Sequence, residues 1–231
     1  VQTCALPIFA LKVSFFATHA WDGRFPSYQP TNSTRNSYYP DSPDHSNYTK
    51  IVPPKTATDK HWKELPWFFN DVTAGRIRWR NRFEPGDIWQ KNIRDLYAMA
   101  TEVDWAIGEI IDELKAQGVY NNTLLIFTTD NGDLHGEQGL AEKWYPFEES
   151  LKVPLIIQDP RMGTAYHGTT NTEFTLNVDL APTILGAAGL NPTDFMQGRD
   201  ISELYLSQTN NRPPENQGNP QRQRRLTSNN T

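Results

Sequence analysis

Leu124-Leu125-Ile126-Phe127-Thr128-Thr129-Asp130-Asn131-Gly132-Asp133-Leu134-His135-Gly136-Glu137-Gln138-Gly139-Leu140-Ala141-Glu142-Lys143-Trp144 is the stretch on which the fold turns. Residues 123–129 are apolar and β-rich, which predicts a buried strand. The strand ends in two adjacent oxygen donors, Asp130 and Asn131, and a glycine-rich turn then leads to Lys143. Beyond it, Val153–Gln158 reads as a second short apolar strand closed by Asp159-Pro160. In open α/β sheets ligands sit past the carboxyl ends of strands, where this pair falls. The layout suits a hard cation with an anionic substrate beside it.

Working outward, Ile93, Leu96, Tyr97, Ala100, Val103, Ile107, Ile110, Ile111 and Leu114 recur at helical spacing. Asp87 and Gln90 offer a capping box, and Gly118 a stop signal. Residues 88–129 therefore read as helix followed by strand. Residues 9–17 predict a mostly buried strand ending at Thr18-His19-Ala20. Phe174–Val178 predicts a short extended piece, and Asp179 caps a helix through Ala188 that Gly189 ends. Alternating strands and helices give an α/β fold with a mainly parallel sheet flanked by helices.

The chain has 231 residues, enough for one large domain with a core. Its net charge of −5 excludes a general nucleic-acid binder. No apolar stretch reaches the roughly 20 residues that span a bilayer, so neither nucleic acid nor membrane is expected as a partner. Residues 1–8 read as one frame of a common sequencing adapter, an assembly scar to be kept out of fold reasoning; a genuine lead-in is the alternative. Cys4, the single cysteine, lies there and gives no disulfide evidence on compartment. Residues 21–86 form a long aromatic-rich insertion holding Trp21, Trp62, Trp67 and Trp79. These aromatics either stack on a sugar over the pocket or pack the insertion against the body. From Ser207 the chain turns to Asn, Gln, Pro and Arg, which predicts a disordered polar tail over 207–231. Arg222, Arg224 and Arg225 read there as solvated charges.

Asp130 and Asn131 suit Ca²⁺ or Mg²⁺, and a histidine in place of Asn131 would tilt the site toward zinc. Asp-Asn-Gly is also an ordinary turn former. Glu137 is expected to tie down the turn, and Glu148 and Glu149 to stay solvated. His135 is a candidate pocket residue inside the turn.

Asp130-Asn131-Gly132, Gly136-Glu137-x-Gly139-Leu140, Lys143-Trp144, Glu148-Glu149-Ser150 and Val153-Pro154-Leu155-Ile156 together resemble the sulfatase family. Asp179-Leu180-Ala181-Pro182-Thr183 and Met196-Gln197-Gly198-Arg199 resemble its downstream landmarks, so the likeness covers residues 9–206. It implies an alkaline-phosphatase-like fold, incomplete in this chain. It also implies hydrolysis of sulfate esters, of small molecules or glycans, with one divalent cation, usually Ca²⁺, and a formylglycine nucleophile. By resemblance Asp130 and Asn131 are metal ligands, and Lys143 contacts the sulfate, as a fixed cation aimed at developing negative charge. His19 resembles the family histidine that faces the sulfate, and a strand-end histidine is the plain alternative. A periplasmic or extracellular location is typical of the family.

The family's Cys/Ser-x-Pro-x-Arg motif is absent, as are its paired N-terminal Asp ligands. Cys4-Ala5-Leu6-Pro7 has the wrong spacing. The chain is expected to be the C-terminal part of a sulfatase catalytic domain, inactive alone. Two other readings stay open. One is a related phosphatase or phosphonate hydrolase, against which Asn131 argues; the other is a noncatalytic carbohydrate-binding remnant.

Overall fold

A computed structural model describes residues 9–21, 27–38 and 51–206. The readings of residues 1–8 with Cys4, and of 207–231 with Arg222, Arg224 and Arg225, lie outside the described residues. The chain divides into two compact units, Phe9–Pro160 and a second that includes residues 161–206.

In the first unit the sequence periodicity becomes α4, Asp87–Ala116, thirty residues long and so roughly 45 Å. Before it come α1 (Asn32–Tyr38), α2 (Asp59–Lys63) and α3 (Ala74–Arg78), the last running into one π turn, Trp79–Phe83. Trp89, Ile93, Leu96 and Met99 of α4 join Tyr28, Trp79, Phe83 and Ala141 in the main core. Gly118, at φ 68°, follows the last turn of α4 in the left-handed conformation that glycine tolerates. The expected capping box does not form. Gly86 holds the N-cap position with no side-chain bond, and Asp87 is the first helical residue. Gln90 is engaged elsewhere. Its amide brackets Ile51, accepting from the Ile51 N–H at 3.1 Å and donating to its carbonyl at 2.7 Å.

The predicted strands form as β1 (Leu125–Thr128) and β4 (Leu155–Gln158), half-buried rather than buried and with Phe127 and Ile156 exposed, and with a small pair between them, β2 (Leu134–His135) and β3 (Ala141–Glu142). Both pairs are antiparallel, in contrast to the parallel pairing expected from the order of elements. Thr128 lies opposite Leu155, and its hydroxyl donates to the Pro154 carbonyl at 2.9 Å. The whole segment 129–154 therefore leaves and re-enters at the carboxyl end of β1. That end is where Asp130 was expected to sit.

No strand forms over 9–17. Phe9, Leu11, Val13, Phe15 and Phe16 are 39–71% exposed. Strand preference is mostly a preference for neighbours to pair and pack with, and no described strand lies beside this segment.

In the second unit a 3₁₀ turn, Asn177–Asp179, leads into α6, Leu180–Ala187. Gly189, at φ 74°, follows it. Phe174–Val178 forms no strand, and Phe174 is 78% exposed. Asp179 does not cap α6 through its side chain. It accepts instead from the Leu176 N–H at 2.8 Å and the Arg199 N–H at 2.9 Å. The two downstream sequence landmarks are thus joined to each other. Gly198 permits this, because a Cβ there would lie 2.0 Å from the Val178 carbonyl oxygen.

Candidate functional site

The turn after β1 is fixed by its own polar groups. Asp130 Oδ1 accepts from the Asn131 N–H at 3.0 Å and from the Thr129 hydroxyl at 3.2 Å. Asn131 Nδ2 donates to the Gly132 carbonyl at 2.8 Å, which orients the amide. Gly132 itself donates to the Ser150 carbonyl at 2.9 Å. Its lack of a side chain matters for closeness rather than for an unusual φ: a Cβ would meet the Glu149 carbonyl oxygen at 2.0 Å and that of Lys152 at 2.9 Å.

This contact brings α5 (Glu148–Leu151) against the turn, beside an open pocket of about 390 Å³. Asp130, Asn131, Lys143, Trp144, Tyr145 and Ser150 line it. Three residues singled out from sequence, Asp130, Asn131 and Lys143, therefore share one cavity. Burial pushes the Tyr145 phenol above its ordinary value, so this wall stays neutral.

Two histidines do not share it. His19 Nδ1 bonds the Ala20 carbonyl at 2.7 Å and its ring lies 5.2 Å from that of Phe16. His135 faces Asp133 at 3.4 Å and the Phe83 ring at 5.4 Å. Its carbonyl accepts from the Trp89 indole at 2.8 Å. Neither residue lines the pocket. Glu137 ties the turn as expected, accepting from the His135 N–H at 2.6 Å. Glu148 and Glu149 are exposed, as expected.

The sequence reading missed several buried charges, of which Glu142 and Arg76 bear on the turn and the pocket. Glu142, 8% exposed, directly precedes Lys143 and adopts φ 67°, a conformation uncommon outside glycine. Its carboxylate accepts from Arg78 and Arg82 and from the Trp144 indole at 3.2 Å. Such a strained backbone persists where its surroundings over-determine it. Here the network fixes the residues on either side of Lys143. Arg76, 2% exposed, lies between Trp62 and Trp79, 4.6 and 4.1 Å from the ring centroids. It donates to the Gly139 carbonyl at 3.0 Å and to Asp59, so it clamps the glycine-rich turn from beneath. Trp62 and Trp79 thus do packing work, one of the two roles open to them.

The hydrogen bond from Arg76, aided by its charge, holds the Asp59 carboxyl below its ordinary value. A depressed carboxylate contributes stability above the ordinary value of 3.8 that is lost as pH falls through the lower folded value. Asp59→Asn should flatten that acid limb in melts followed by circular dichroism. An unchanged limb would remove Asp59 from it. The effect is small, because the Asp59 side chain is 62% exposed.

The donor chemistry of the pocket fits a hard cation, with a carboxylate and an amide oxygen side by side. Two oxygens are a minority of the about six to eight that Ca²⁺ takes. Among the described residues no group of three or more His, Cys, Asp and Glu is placed to complete such a shell. No described helix is long and apolar enough to cross a membrane.

Comparison with known proteins gives this geometry a family. The chain is 35% identical over 116 residues to an N-acetylglucosamine-6-O-sulfatase of Bacteroides thetaiotaomicron, which covers 50% of this chain and 20% of that protein. It is 41% identical over 106 residues to an extracellular sulfatase of Drosophila melanogaster, covering 46% and 9% respectively. The chain thus spans about a fifth or less of the length of these relatives. A phosphonate monoester hydrolase from Silicibacter pomeroyi superposes with a TM-score of 0.60 at 24% identity, over 71% of this chain and 33% of that one. That likeness shows the fold, the α/β alkaline-phosphatase-like class expected from sequence. A sulfatase family model matches residues 9–190, well over half of the chain, and the protein belongs to the sulfatase family.

Proposed function

We propose that the pocket is part of a sulfuric ester hydrolase site acting on sulfated carbohydrates. The supporting observation is that Asp130, Asn131 and Lys143 line one cavity. In this reading Asp130 and Asn131 hold a Ca²⁺ through their side-chain oxygens, and Lys143 holds the sulfate. A bound Ca²⁺ would supply further positive charge to the anion. The Lys143 ammonium neutralises the oxygens whose charge grows as the ester bond breaks, which is the large electrostatic contribution to such reactions. The Glu142 network fixes the backbone on either side of Lys143, which lines the pocket as an exposed residue. His19 is left out of the contact set, since it does not line the pocket. The sugar assignment draws on the relative that acts on N-acetylglucosamine 6-sulfate groups. A periplasmic or extracellular setting draws on the extracellular relative.

The chain carries no Cys/Ser-x-Pro-x-Arg run for a formylglycine. By itself it is expected to bind sulfate and Ca²⁺ weakly and to turn nothing over. Calorimetric titration with sulfate should show binding that Lys143→Ala weakens at least about tenfold. Titration with Ca²⁺ should show binding that Asp130→Asn removes. Sulfate affinity unmoved by Lys143→Ala overturns the anion assignment. Turnover of a fluorogenic aryl sulfate by this chain, lost in Lys143→Ala, overturns the expected inactivity.

A further inference from the structure

Beside the anion pocket lies a second cavity of about 440 Å³, lined by Leu65, Pro66, Phe68, Phe69, Tyr145, Pro146 and Phe147. Two of these residues, Tyr145 and Pro146, line the first pocket as well, so the two cavities share a wall. The Phe69 ring lies 4.9 Å from that of Phe68 and 4.7 Å from that of Tyr145, tilted against both, and 6.2 Å from that of Phe147. The ladder begins at the surface, where Trp67 is 90% and Phe68 55% exposed, with rings 6.0 Å apart. Large aromatics left open to water are costly unless something covers them. The groove offers no charged side chain, and its single hydroxyl, on Tyr145, is engaged with Thr73 and the Gly75 backbone.

We infer that this groove seats the ring of the alcohol to which the sulfate is attached, held by its flat apolar face. The inference rests on the anion reading of the neighbouring pocket and adds the other half of the ester to it. A sulfate held at Lys143 leaves its ester oxygen and the ring beyond it to leave the first pocket. The shared wall of Tyr145 and Pro146 is where that ring meets aromatic surface. The cavity is of the size that holds a single small-molecule ring, in the range of about 300–1,000 Å³ typical of ligand sites. With no polar side chain free for hydroxyl groups, it selects a face, the C–H face of a sugar or an arene.

The test compares phenyl sulfate with methyl sulfate, which has the same anion and no ring, by calorimetric titration of the full chain. The chain is expected to prefer phenyl sulfate roughly tenfold. Phe68→Ala should reduce that preference to within about twofold while leaving methyl sulfate unmoved. Phe68→Leu, which keeps an apolar side chain and removes the ring, guards against a folding artefact and should do the same. Equal affinity for the two esters in the parent chain overturns the inference, and so does a preference that survives both variants. Lys143→Ala should weaken both esters alike. If it weakens neither, the anion reading falls while the groove stands. N-acetylglucosamine 6-sulfate supplies the last arm: Phe68-dependent binding identifies a sugar face, and its failure beside a retained phenyl preference identifies an arene.

Discussion

Glu142→Ala is expected to lower the stability of the Phe9–Pro160 unit by about 3–5 kcal/mol, a large share of the total for a domain of this size. The carboxylate is shared by two guanidiniums, and Arg82 is only 6% exposed. Removing it leaves positive charge in a place with little water to solvate it, the costliest way to break an ion pair. It also frees the Trp144 indole, which donates to the same carboxylate. Glu142→Gln keeps the shape and one acceptor, and should recover part of the loss. Urea denaturation measures both variants. A loss under about 1 kcal/mol for Glu142→Ala would mean that the pair behaves as a surface ion pair and that the network does not hold the pocket wall.

Gly132→Ala is expected to cost about 2–4 kcal/mol and to abolish Ca²⁺ binding. The added methyl would sit 2.0 Å from one backbone carbonyl oxygen and 2.9 Å from another. Neither is the movable end of a side chain, so α5 must retreat from the turn, and the Gly132 to Ser150 hydrogen bond goes with it. The control is Gly108→Ala in the middle of α4. A Cβ there meets nothing within 4 Å, and alanine should stabilise the helix by about 1 kcal/mol. Opposite signs for the same chemical change would show that the contact, rather than glycine's freedom, sets the result at Gly132. A neutral Gly132→Ala would refute the close approach.

The parts legible in sequence are those decided by nearby residues. Helix α4 announces itself by periodicity, β1 and β4 by short apolar runs, and the turn by its polar and glycine spacing. Asp130, Asn131 and Lys143 could be placed together because all three lie on one short excursion from one strand end. What stayed hidden depends on distant partners. A run such as Phe9-Ala10-Leu11-Lys12-Val13 satisfies a strand pattern, but without a neighbouring ladder it forms no strand and stays exposed. Arg76 and Glu142 carry no signal in the sequence, because nothing local says that one will lie between two indoles and the other will meet two arginines. The aromatics of the insertion illustrate the same limit. Composition could not divide them into Trp62 and Trp79, which pack around a guanidinium, and Phe68, which faces outward over a groove.

The contacts of Glu142 span 64 residues to Arg78 and 60 to Arg82. Helix α4 lies between, and its turns can form from contacts within itself on a scale of about a microsecond. The pocket wall has no such shortcut. Bringing one carboxylate back across that much chain carries a loop-closure entropy that local structure does not repay. Order of assembly therefore follows from the placement of one side chain: the rod comes early, and the wall beside Lys143 comes after it.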